Sequence, residues 1–247
     1  MLVKSQVKYI QSLGQKKFRD QEGVFIVEGP KMVKELLSAP NTRPLHIYGV
    51  KKWLEESRGW LPAIAASCIT ELKEGELERI SSLATPNQVL AILERPSFLL
   101  PVWEDTVSLL LDGIQDPGNL GTIVRIADWF GLRQVICSRD CADIFNSKAV
   151  QSTMGSITRV QVIYDDPEEV IRLHPRLAVY AAVLEGQPLY ETGHIPEGLI
   201  MIGNESRGIR PELLEKATHR ITIPRRGEAE SLNAAVATGI ILSHLTK

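Results

Sequence analysis

The chain has 247 residues, 44% hydrophobic and 23% charged, which is enough apolar material for one large packed domain or two ordinary ones. Its apolar runs, such as residues 178–184, are far too short to span a bilayer, and its start lacks the basic stretch and apolar run of a signal peptide. The net charge is −2, so the molecule is no polycation and any contact with nucleic acid has to come from a local patch.

Three cysteines, Cys68, Cys137 and Cys141, are an odd number without a disulfide framework, which suits a reducing compartment and a cytoplasmic location. From the amino terminus, residues 4–13 read as a helix, 24–27 as a strand and 29–37 as a helix with Pro30 in its first turn. This stretch also holds the basic patch. Between residues 1 and 34 seven bases (Lys4, Lys8, Lys16, Lys17, Arg19, Lys31, Lys34) face three acids (Asp20, Glu22, Glu28). Charge alone fits a solvated helix face equally well. Residues 45–50, 63–66 and 88–93 read as further short strands.

Two prolines and a loss of periodicity over residues 94–106 mark a boundary. The expected organisation is a small α/β domain at 1–95, a linker at 96–106 and a second domain at 107–247. In the second domain, residues 107–111, 134–137, 178–184, 199–202 and 220–223 are largely apolar, β-rich runs of buried-strand length. Ile123, Ile126, Ala127 and Phe130 share one helical face, as do Leu232, Ala235, Val236, Gly239 and Ile240. Continuous apolar strands alternating with helices predict an α/β fold with a parallel sheet covered on both faces.

Ligands of such sheets bind beyond the carboxyl ends of the strands. Three loops rich in glycine and hydrogen-bonding side chains fall there, at residues 112–122, 203–208 and 224–233. No phosphate-loop motif is present, the Gly118-Asn-Leu-Gly121 stretch lacks the first glycine of the dinucleotide fingerprint, and no H-E-x-x-H occurs. The five scattered histidines support no hydrolase triad, the Cys137–Cys141 pair has no second ligand pair, and no metal is expected. Taken singly, the loop residues have ordinary explanations. Arg125 can pair with Asp128 or lie over Trp129, Asn119 and Ser231 can cap helices, and Glu205 can cap a turn.

In combination and in order, the loops carry more. The stretch Asp112-x-Ile-x-Asp-Pro-Gly-Asn-Leu-Gly-x-Ile-x-Arg125-x-Ala-x-x-Phe-Gly131 resembles the first motif of the SpoU/TrmH family of RNA methyltransferases. Gly203-Asn-Glu205-x-x-Gly208 resembles the second, and Ile223-Pro224 with Ser231-Leu-Asn233-x-x-x-Ala237 the third. Ser147-Lys-Ala-Val-Gln-Ser-Thr-Met-Gly-Ser156 is also typical of the family, and Phe25-Ile-Val-Glu-Gly-Pro-Lys resembles part of its small RNA-binding domain.

The resemblance implies an S-adenosyl-L-methionine-dependent RNA (ribose-2′-O-)-methyltransferase with a carboxyl-terminal trefoil knot, acting as a homodimer. General topology rules alone would reject the knot. The small residues Ala234, Ala235, Ala237 and Gly239 suit close packing at a dimer interface or inside one subunit. By motif match, cofactor contacts fall on Gly203, Ile223 and Leu232, and catalytic roles on Asn119, Arg125, Glu205, Ser231 and Asn233. Arg125 would bind a phosphate and favour alkoxide character at the ribose hydroxyl, since a guanidinium with a pKa above about 12 is a poor base. The amino-terminal domain favours ribosomal over transfer RNA as the substrate. The alternatives are a knotted base methyltransferase and a non-catalytic RNA-binding homologue. At Arg225-Arg226 the sequence departs from the family's usual residues.

Overall fold

The computed structural model describes residues 2–61 and 67–246. The strand expected at 63–66 lies outside the described residues. Contacts divide the chain into two compact units, Met1–Phe98 with Phe145–Thr158, and Leu99–Ile144 with Arg159–Lys247.

The first unit begins with α1 (Lys4–Ser12), α2 (Lys16–Glu22), β1 (Val24–Glu28) and α3 (Pro30–Leu37). It continues through β2 (Pro44–Val50), α4 (Lys51–Ser57), β3 (Ile69–Leu72), α5 (Glu74–Leu77) and β4 (Val89–Glu94). The sheet order is β1-β4-β2-β3, antiparallel except for the β2–β3 pair. One of the seven bases is structural: Arg19 is buried, and its guanidinium donates to the Leu13 carbonyl at 2.7 Å. The segment Phe145–Thr158 also belongs to this unit. Its helix α7 (Ser147–Thr153) packs on β1, Gln151 Nε2 donates to the Glu28 carbonyl at 2.8 Å, and Phe145 packs on Phe25 beneath Arg95.

In the second unit, β5 (Val107–Asp112), α6 (Pro117–Trp129) and β6 (Gln134–Cys137) come first. After the excursion follow β7 (Gln161–Tyr164), α8 (Pro167–Leu173), β8 (Val179–Pro188), β9 (Gly198–Gly203), α9 (Pro211–Leu214), β10 (His219–Thr222) and α10 (Ala234–Leu245). All six strands are parallel, in the order β10-β8-β9-β5-β6-β7. The central strands β5, β6 and β9 are buried almost throughout, because helices cover both faces. One face carries Leu110, Val179, Leu199 and Met201 against Val170 and Leu213. On the other side α10 packs against α6 and β9. The chain runs from β5 towards β7 in one direction and returns through β8 on the far side of β9. The carboxyl ends of β5 and β9 are therefore the switch point at which ligands of such sheets bind.

Strand β8 runs four residues beyond its predicted end, into polar Glu185–Pro188, because its backbone pairs there with β10. Gly186 permits this approach, since a Cβ would lie 2.7 Å from the Arg220 carbonyl oxygen. The alternation pattern gave no sign of β7, whose four residues are all half-buried. Among the described residues no helix is long and apolar enough to cross a membrane.

Candidate functional site

Helix α6 starts at the end of the β5 loop. Pro117 occupies its first turn, and Asp116 caps it by accepting from the Asn119 amide at 2.8 Å. The cap is thus Asp116, which leaves the Asn119 side chain for other partners. Asn119 Nδ2 donates to Glu205 Oε1 at 2.6 Å, and Asn119 Oδ1 accepts from Asn233 Nδ2 at 3.0 Å. This chain of hydrogen bonds joins residues 86 and 114 positions apart in sequence, which only the tertiary fold can do: the loops after β5, β9 and β10 meet at one amide.

The ordinary explanations of the other loop residues are redistributed in the same way. Asn233, not Ser231, caps α10, its Oδ1 accepting from the Ala235 and Val236 amides at 2.9 and 3.3 Å. Ser231 is exposed, and its hydroxyl has no hydrogen bond among the described residues. The turn after β9 is capped by Asn204, whose Oδ1 accepts from the Ser206 and Arg207 amides, so Glu205 is released for Asn119. Asp128 is paired with Arg159 at 2.9 Å rather than with Arg125. Arg125 is exposed and makes no ion pair, hydrogen bond or ring contact among the described residues, although Trp129 beside it is 84% exposed. It does not join the Asn119 chain. Six residues along α6 set it about 120° round the helix from Asn119.

The three expected cofactor residues differ in kind. A Cβ on Gly203 would lie 2.3 Å from the Gly208 carbonyl carbon and the Ile209 amide nitrogen. The absence of a side chain there is therefore required by the loop itself, and a bulky substitution disturbs the loop before it meets any ligand. Ile223 is half-buried and Leu232 is 46% exposed. Between them, the main-chain amides of residues 225–232 make no main-chain hydrogen bond among the described residues. Main-chain amides without main-chain partners, beside an exposed leucine, are donors that an adenine edge and its ring face can use, so the residues present fit S-adenosylmethionine.

Sequence reasoning missed the layer beneath. Asp112, at the end of β5, is 2% exposed and accepts from the Arg210 amide at 2.8 Å and Arg210 Nε at 2.7 Å. Asn204 Nδ2 donates to the Gly113 carbonyl at 2.7 Å, and the Gly113 amide donates to Ser138 Oγ at 2.8 Å. The Ser138 hydroxyl also donates to Asp140, which holds that carboxyl below its usual range, aided by Arg210 and Arg207. Cys137 and Cys141 are buried below the β5 loop. A hydrogen bond with Cys137 lowers the Cys141 thiol to about 7, and burial pushes Cys137 up. Asp112 stood inside the first motif, but its burial was the only signal of its role, and burial is tertiary. Among the described residues no group of histidine, cysteine and carboxylate side chains could hold a metal ion.

The chain has known relatives. Residues 106–243 match the SpoU rRNA methylase family, and residues 4–91 match the MRM3-like substrate binding domain. The chain belongs to the SpoU rRNA methylase family. It is 34% identical to the 23S rRNA (guanosine(2553)-2′-O)-methyltransferase RlmP of Bacillus subtilis, over 97% of this chain and 95% of that protein. Its fold superposes with a TM-score of 0.86 on a TrmH-family protein from Porphyromonas gingivalis, at 40% identity over 98% and 97% of the two chains. An AdoMet-bound rRNA methyltransferase from Sinorhizobium meliloti superposes with a TM-score of 0.84, at 30% identity over 98% and 94%.

Proposed function

We propose that this protein transfers a methyl group from S-adenosylmethionine to a ribose 2′-hydroxyl of ribosomal RNA. The observation that carries the reading is the Glu205–Asn119–Asn233 chain, which unites all three family motifs at the switch point of a sheet belonging to the SpoU family. RlmP, a 23S rRNA 2′-O-methyltransferase similar over almost the whole chain, supports ribose chemistry on ribosomal RNA.

When bound, S-adenosylmethionine supplies an electrophilic sulfonium methyl. The chain's own task is then alignment, since a held near-attack geometry removes much of the barrier. Backbone groups of Gly203, Ile223 and Leu232 bind the cofactor. Arg125, which makes no ion pair or hydrogen bond among the described residues, grips the phosphate next to the target ribose and stabilises charge developing on the 2′-oxygen. Ser231 Oγ is available to hydrogen-bond the same hydroxyl. Glu205, Asn119 and Asn233 hold the loops in register.

Residues 1–95 bind the RNA and residues 107–247 carry the chemistry, in the cytoplasm. The match to a substrate binding domain and the exposed Lys4, Lys8, Lys16 and Lys17 support this division. Two copies assemble through α10, and its carboxyl-terminal segment is threaded as the family's knot. Val236 and Ile240, 51% and 38% exposed, lie four residues apart on α10, and Leu232, 46% exposed, stands just before the helix, while Ala234 and Ala235 are buried within the chain. Sedimentation of Val236→Asp tests the assembly, with a monomer expected.

The deciding experiment incubates ribosomal RNA with the protein and S-adenosylmethionine, then digests it to nucleosides for mass spectrometry. One 2′-O-methylated nucleoside is expected; a methylated base, or no methylation, overturns the proposal. Reversing the charge of the four lysines should weaken RNA binding and flatten its salt dependence without changing cofactor affinity.

A further inference from the structure

We infer that Asp112 is a positioning residue for methyl transfer, acting as the latch that closes the Glu205 loop; the inference rests on the function proposed above. Strand β9 ends at Gly203, which stands directly opposite Asp112 in the β5–β9 register. The chain then leaves the sheet, turns over Asn204–Gly208 and comes back to Arg210. There, both the Arg210 amide and Nε donate to the Asp112 carboxylate, at 2.8 and 2.7 Å. The loop therefore starts and ends at the same residue of β5.

The interior of the ring is determined as tightly. Asn204 and Gly208 exchange backbone hydrogen bonds of 3.0 and 2.9 Å, and Gly203 leaves no room for a Cβ against that turn. Asn204 Nδ2 ties the turn to the Gly113 carbonyl, one residue beyond Asp112. Glu205 lies on this ring, and its reach to Asn119 is fixed only while the ring is closed. The Asp112 carboxylate is 2% exposed, whereas the Arg210 side chain is 45% exposed. A buried carboxylate accepting two donors from one residue is a strong and directional clamp. Among the described residues Asp112 makes no hydrogen bond to Asn119, Glu205 or Asn233, so its action on them runs through the loop.

The test compares wild type, Asp112→Asn, Arg210→Gln and Glu205→Gln, together with the Asp112→Asn/Glu205→Gln double variant, in the full chain. Asparagine keeps the shape of Asp112 but turns one acceptor into a donor that faces an N–H. Arg210→Gln keeps the backbone donor and serves if Asp112→Asn does not fold. Single-turnover methylation at saturating RNA and S-adenosylmethionine should fall at least tenfold in Asp112→Asn and severalfold in Arg210→Gln. RNA affinity should stay within twofold of wild type. Adding Glu205→Gln to Asp112→Asn should cost less than a further twofold, because both changes break one linkage. Hydrogen exchange at the Ser206 and Arg207 amides should accelerate in Asp112→Asn and Arg210→Gln. A lowered melting temperature with unchanged single-turnover rate would overturn the inference, as would losses from Asp112→Asn and Glu205→Gln that simply multiply. A wild-type protein inactive on RNA would instead sink the functional reading. The exchange measurement, which needs no reaction, then judges the latch, and unchanged exchange overturns it.

Discussion

The two ends of the six-stranded sheet make opposite kinds of surface. At the amino-terminal ends of β5, β6 and β9 lies an open cleft of about 680 Å³, lined by Val102, Phe130, Leu132, Arg133, His194 and Thr246. At the carboxyl ends lies a cluster of directed polar contacts: Asp112 with Arg210, Asn204 with Gly113, and Asn119 with Glu205 and Asn233. Room alone marks no chemistry. The carboxyl end is where amides and side chains from three loops are aimed at one another, and ordering them costs conformational entropy that packing does not require.

The largest expected effect lies at the carboxyl end. Arg125→Ala should fold and bind S-adenosylmethionine, yet lose single-turnover methyl transfer by about a hundredfold or more, the scale of a lost preorganised charge contact. Arg125→Lys should not restore the rate fully, because an ammonium lacks the two-pronged contact to phosphate. A wild-type rate in the alanine variant would return Arg125 to the solvated helix face.

Next comes Asn233, whose two roles separate. Asn233→Ala loses both the α10 cap and the bond to Asn119, so thermal unfolding should show a loss of about 1 kcal/mol from the cap alone. Asn233→Asp keeps the capping oxygen but removes the Nδ2 donor to Asn119. It should keep most of the stability and still lose turnover by about tenfold, the weight of one directed hydrogen bond of about 1.4 kcal/mol. Equal turnover in wild type and Asn233→Asp would show the three loops to be joined for stability only.

Gly203→Ala sharpens the comparison differently. The added methyl meets the Gly208 and Ile209 backbone, so chemical denaturation should show a loss of about 1–3 kcal/mol, the usual cost of overpacking. Loss of cofactor affinity with unchanged stability would show that the added methyl meets the cofactor rather than the loop. The smallest effect belongs to the amino-terminal end. His194→Ala in the open cleft should leave single-turnover methylation within about twofold, as expected for a surface site away from the chemistry. A tenfold loss there would break the contrast between the two ends.

Much of this was legible beforehand. The largely apolar runs at 107–111, 134–137 and 199–202 became the three central strands, since a strand buried on both faces is apolar at most positions, and the buried Ser108 and Gln134 satisfy each other by a hydrogen bond. The three loops emerged at the correct strand ends for the same reason. Strand β7 and the tail of β8 stayed hidden, because their half-buried or polar residues carry no alternation and their pairing depends on distant partners. The packing of Phe145–Thr158 on β1 was equally invisible, being a contact between segments more than a hundred residues apart.

The amino-acid sequence by itself determined the parallel α/β class, the three motif loops and the membership they imply, because hydrophobic periodicity and local hydrogen-bonding chemistry are written residue by residue. Which polar residue does which job was decided only in three dimensions. Asp116 rather than Asn119 caps α6, Asn233 rather than Ser231 caps α10, and Arg159 rather than Arg125 takes Asp128. A carboxylate, amide or hydroxyl near a helix start is chemically fit for several partners. Only the folded backbone, by bringing one donor within 3 Å and leaving the others in water, selects among them.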